Sequence, residues 1–155
     1  MRARPMLLLL IAALAAVAAL AVVTGAAGAA SKAPGKAAAV DVHKTKLGTV
    51  LVDAQGRTLY DFVKDKNDKS ACAGACAKFW PPLMTAGKPK AGKGVQAKLL
   101  GTTVRKAGRQ VTYAGHPLYT YAGDKKAGQT NGQGSTTFGA AWWVLAPNGH
   151  QITKR

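Results

Sequence analysis

A ten-residue pattern that occurs twice constrains this chain more than any other feature. GRTLYDFVKD begins at Gly56 and GHPLYTYAGD begins at Gly115. At one constant offset Gly56 matches Gly115, Leu59 matches Leu118, Tyr60 matches Tyr119, and Asp65 matches Asp124. Phe62 meets Tyr121. The shared pattern is Gly-x-x-Leu-Tyr-x-aromatic-x-x-Asp. Composition does not explain it, because aromatics make up only 6% of the residues. Each copy is followed by tryptophan: Trp80 after the first, Trp142 with Trp143 after the second. A unit this short cannot bury its own core, so two half-units on one plan must share one.

Each copy reads as a strand. Alternation puts Tyr60 and Phe62 on one face with Leu59 and Asp61 on the other; Tyr119 and Tyr121 share a face in the same way. Thr49 to Val52, followed by a turn from Asp53 to Gly56, predicts a hairpin into the first copy. Thr102 to Lys106 and Arg109 to Tyr113 predict a second around Ala107-Gly108. Trp142 to Leu145 and His150 to Thr153 predict a third around Asn148-Gly149. A short helix is expected from Cys72 to Trp80, where Pro81-Pro82 ends it. The expected fold is mainly β, two pseudo-repeated antiparallel half-units forming one small domain. Repeat one would span about 48–85 and repeat two about 102–147.

The amino terminus carries an address. Arg2 and Arg4 precede an apolar run from Met6 to Val23, followed by Gly and Ala up to Ala30. That order marks residues 1–30 as a secretory signal. The membrane is reached only if this leader stays uncleaved as an anchor. No Cys lies near the cleavage region, so acylation of an N-terminal Cys is unavailable. Residues 31–40 (SKAPGKAAAV) lack periodicity and read as a flexible linker. Residues 41–155 form the expected domain.

Charge then narrows the partners. The chain has 22 Lys and Arg against 6 Asp and no Glu, a formal net of +16. Such a balance favours anionic cell-wall polymer or lipid; export argues against nucleic acid. Lys88, Lys90 and Lys93 lie in a Gly- and Pro-rich stretch between the repeats and are candidate contacts. The bland alternative is a solvated cationic surface with no dedicated partner.

YDFVKD and YTYAGD resemble the Tyr-x-aromatic-x-x-Asp signature of a bacterial family of secreted repeats of unknown function, often described as predicted lipoproteins. CAGACAKFWPP, LLGTT, GHPLY, TNGQG and FGAAWWVLAPNG are similar to its recurring segments. The resemblance covers most of residues 48–149. It implies export and a repeat fold, and no established activity.

The chemistry-bearing residues have competing readings. Cys72 and Cys76 in an exported chain are most simply a disulfide; a metal or redox role and free thiols are the rivals. A tetrahedral metal would need two more ligands from His43, His116 or His150, and a copper set of His116, Met84 and Cys76 has no supporting spacing. Asp65 and Asp124 form a symmetric pair that suits acid–base work, yet a turn Asp accepting backbone N–H bonds fits their sequence setting better. His116 beside Pro117 reads as a solvated turn residue. The aromatics read as core between the halves rather than a stacking platform. Trp142 and Trp143 fall on opposite strand faces, so at least one of them is a candidate surface contact. No nucleophile elbow, P-loop or zinc-protease helix is present, and no cofactor or metal is implied. The expectation is a non-catalytic envelope module contacting anionic polymer or lipid. The rival is a redox or metal-handling protein using Cys72, Cys76 and His116.

Overall fold

The computed structural model describes residues 35–155. The expected signal, residues 1–30, and residues 31–34 of the expected linker lie outside the described residues.

The described chain is mainly β, as the sequence predicts. Strand β1 (Ala39–Thr45) forms an antiparallel hairpin with β2 (Gly48–Asp53). The first repeat copy continues as β3 (Tyr60–Phe62). A helix α1 (Ala75–Phe79) and strands β4 (Met84–Thr85) and β5 (Lys90–Ala91) complete the first half. The second half opens on the hairpin of β6 (Leu100–Arg105) and β7 (Gly108–Tyr113) and continues through β8 (His116–Pro117). It ends in β9 (Trp142–Leu145) and β10 (Gln151–Ile152). The strands form three small sheets, ordered β2-β1-β5, β10-β9-β3 and β4-β7-β6, with β8 also on β7. The β1–β5 pair is parallel, a departure from the all-antiparallel expectation.

The two hairpins are counterparts. Leu59 N–H donates to Leu51 O and Leu118 N–H donates to Val111 O, both at 2.9 Å, so each hairpin passes into its repeat copy through the same contact. All four side chains are buried in one apolar cluster. The copies then meet head to head. Tyr60 N–H donates to Tyr119 O at 2.8 Å, and Tyr119 N–H donates to Tyr60 O at 2.9 Å. This two-bond bridge is the axis about which the halves repeat.

The predicted turns form for the expected reasons. Asp53 O accepts from Gly56 N–H, and Asp53 Oδ1 accepts from the N–H groups of Gln55 and Arg57. Gly56 sits at φ 77, where a Cβ is strained. Gly149 at φ 86 closes the last hairpin by donating to Ala146 O.

Two boundaries differ from expectation. Ala39 and Val40, read as linker, are paired in β1. The Ala-rich composition hid a strand whose register comes from Val40 on the buried face. The helix expected from Cys72 covers only Ala75–Phe79, because Gly74 adopts φ 55 and breaks helical geometry after Cys72. Among the described residues no helix is long and apolar enough to cross a membrane.

Candidate functional site

The motif residues come together, but across the halves rather than within them. Tyr60 Oη donates to Asp124 Oδ2 at 2.7 Å, and Tyr119 Oη donates to Asp65 Oδ2 at 2.7 Å. The tyrosine of each copy therefore engages the aspartate of the other. The second carboxylate oxygen does the turn work that the sequence predicts. Asp65 Oδ1 accepts from Ala71 N–H at 2.7 Å, and Asp124 Oδ1 accepts from Asn131 N–H at 2.9 Å. Burial pushes both phenols well above the ordinary tyrosine range, and the carboxylate partner raises Tyr60 further. Burial also raises both aspartates, against the lowering effect of the donors that face them.

The aromatic positions repeat the exchange. Phe62 of the first copy stacks on Trp142 of the second half, with centroids 4.1 Å apart and planes 9° from parallel. Tyr121 of the second copy packs on Trp80 of the first half at 4.5 Å. Trp80 and Trp142 stack on each other at 3.9 Å and 3°. Tyr60 meets the edge or face of Trp80 at 5.3 Å, and Tyr119 does the same to Trp142 at 5.1 Å. The core reading of these aromatics holds. Trp142 is fully buried, which corrects its candidacy as a surface contact; it lies between Phe62 and Trp80. Trp143, on the other face of β9, is half-buried.

Cys72 and Cys76 form a disulfide with Cα atoms 5.3 Å apart. It packs against the aromatic cluster. The Cys72 carbonyl is held by Arg105 Nη2 at 2.6 Å, and Arg105 Nη1 reaches Gln110 Oε1 at 2.8 Å and Ser70 Oγ. Ser70 Oγ in turn lies 2.6 Å from Tyr119 Oη, so the bridge is tied to the motif. A five-residue closed loop constrains the unfolded chain by about 2 kcal/mol. Reduction should thus lower the unfolding free energy measured by urea titration by that amount while the β circular dichroism signal survives. Two free thiols by alkylation and intact mass of freshly exported protein would contradict the bridge.

His116 is not the solvated turn residue that the sequence suggests. Its Nδ1 lies 3.1 Å from Asp61 Oδ2, and Gln151 Nε2 donates to the same oxygen. The Asp61 bond holds the imidazole above its ordinary value, with Asp65 and Asp68 adding to the shift and partial burial opposing it. Asp61 is fully buried, and its Oδ1 has no hydrogen-bond partner among the described residues. Sequence reasoning missed this residue because β3 is covered on both faces, so alternation does not leave Asp61 a wet side.

Among the described residues no three His, Cys, Asp or Glu side chains are placed to hold a metal ion. Lys88, Lys90 and Lys93 are exposed, on and around β5. They stand away from the crossed motif in sequence and share with it only the first half. Two exposed phenyl groups, Phe79 at the end of α1 and Phe138, escaped the sequence reading altogether.

No curated protein and no solved structure matches the chain. A family model described as a secreted repeat of unknown function matches residues 41–84 and 101–146. The first match begins before residue 48, the start expected for repeat one, and takes in β1, in agreement with the two-hairpin symmetry. That description supports an extracytoplasmic location. With both halves matched, over most of the domain, the chain belongs to this family of secreted repeats.

Proposed function

We propose that this protein is a non-catalytic exported module of the cell envelope that contacts anionic polymer or lipid. One observation supports it above the rest. Every lysine among the described residues is exposed, whereas of the six acids only Asp68 is. Asp53, Asp61 and Asp124 are buried, and Asp41 and Asp65 are half-buried. The acids serve the interior: they hold turns, the two motif tyrosines and His116. The field at the surface is therefore more positive than the formal net of +14 of residues 31–155 suggests.

Binding of this kind is electrostatic and salt-sensitive. The screening length falls from about 10 Å at 0.1 M salt to about 3 Å at 1 M. Cosedimentation with teichoic acid or with anionic vesicles should be strong at low salt and largely gone at 1 M. Charge reversal at Lys88, Lys90 and Lys93 should weaken retention without changing the fold, since the β5 bonds to Ala38 and Val40 use backbone atoms. Retention indifferent to salt, or none at any salt, would remove this function.

A further inference from the structure

One end of the aromatic core opens at the surface. Phe79, Trp80, Tyr121, Thr137 and Phe138 line a cavity of about 400 Å³. Its size falls in the range of small-ligand sites, roughly 300–1,000 Å³. Trp80 and Tyr121 are the last two rings of the buried stack. Phe79 and Phe138 stand opposite as a pair with centroids 6.0 Å apart, and they are 56% and 39% exposed.

Phe138 is held at a cost. It adopts φ 68, a left-handed conformation that costs a bulky residue on the order of 1–3 kcal/mol. The conformation persists because the residue before it is anchored twice. Trp80 Nε1 donates to Thr137 Oγ1 at 3.2 Å, and Trp142 Nε1 donates to Thr137 O at 2.9 Å. The two core tryptophans thus fix the loop that presents the phenyl group.

Lysines stand around the cavity without lining it. Lys78 precedes Phe79 on α1. Lys125 Nζ donates to Ala122 O at 2.6 Å, and Ala122 N–H donates to Phe79 O. Lys64 Nζ approaches Gly139, next to Phe138. Among the described residues no acid lines the cavity. Asp124, the neighbour of Lys125, is turned inward onto Tyr60.

We infer that this slot takes one pyranose ring of an anionic glycan, which deepens the envelope-polymer reading and rests on it. The apolar C–H face of a sugar ring fits rigid aromatic walls, its hydroxyls meet Thr137, and its carboxylate is within the field of the surrounding lysines. A flexible acyl chain needs no such field, and a ring-free polyphosphate needs no such walls.

The probe is tetragalacturonate, read through tryptophan fluorescence because Trp80 lines the slot. Saturable binding is expected, and Phe79→Ala and Phe138→Ala should each weaken it about tenfold. Lys64→Gln, Lys78→Gln and Lys125→Gln should together flatten its salt dependence. Neutral maltotetraose should bind much more weakly. Both phenylalanines are exposed, so unchanged thermal unfolding of their variants serves as the folding control. Tetragalacturonate binding that ignores both phenylalanine substitutions would overturn the slot, and so would equal binding of maltotetraose. A phenyl-dependent response to phosphatidylglycerol vesicles with none to the glycan would overturn it in favour of a lipid surface. Salt-reversible retention on ring-free polyglycerol phosphate, unaltered in the Phe79→Ala/Phe138→Ala variant, would accompany such a failure if the general envelope reading still stands.

Discussion

Trp80→Ala and Trp142→Ala are each expected to cost about 3–5 kcal/mol. Each removes a fully buried indole that stacks on the other and supports one further ring and one tyrosine edge. A small domain holds only about 5–15 kcal/mol in total, so either variant should be partly unfolded at 37 °C. Urea titration at 25 °C, followed by circular dichroism, measures the loss. Trp143→Ala is the internal comparison, because Trp143 is only half-buried, and its cost should be well below that of its neighbour. Equal costs for Trp142 and Trp143 would contradict the stack as the centre of the core.

The second large effect belongs to the crossed tyrosines. Tyr60→Ala or Tyr119→Ala should cost on the order of 3 kcal/mol, since both rings are fully buried. Tyr60→Phe and Tyr119→Phe remove only a hydroxyl. They should cost about 1–3 kcal/mol by leaving a carboxylate oxygen without its donor, more at the buried Asp124 than at the half-buried Asp65. The pairing itself is tested by double-mutant cycles. Tyr60→Phe should couple with Asp124→Asn and, beyond about 0.5 kcal/mol, not with Asp65→Asn in its own copy. Coupling within a copy instead of between copies would refute the exchange.

The repeat was legible because aromatics are rare and five positions align without a gap. Burial of Tyr60 and Tyr119 followed from size, since so small a domain has few other large side chains to put inside. The crossing was not legible. Spacing within a motif says that Tyr and Asp recur together, and it does not say whether the bond closes within a copy or between two. The strand β1 was hidden for a different reason: Ala and Lys dominate its approach, so the signal rests on Val40 and Val42 alone. His116 and Asp61 were misjudged together. A histidine beside proline in a turn is usually wet, but this turn folds back over a strand with no exposed face. Phe79 and Phe138 show the converse. Each looks like an ordinary core residue in sequence, and only the backbone geometry at Phe138 sets it apart.

The reciprocal motif also bears on assembly. A chain carrying one half alone would have a tyrosine hydroxyl with no carboxylate, a carboxylate with no hydroxyl, and a tryptophan with both faces bare. A second copy of that chain supplies every missing partner, related by a two-fold axis through the Tyr60–Tyr119 bridge. The halves thus meet as two subunits would, and the covalent link between them makes that meeting independent of concentration. The halves are not identical: where the first hairpin carries apolar Val50 in the core, the second carries Gln110, which holds Arg105 and through it the disulfide.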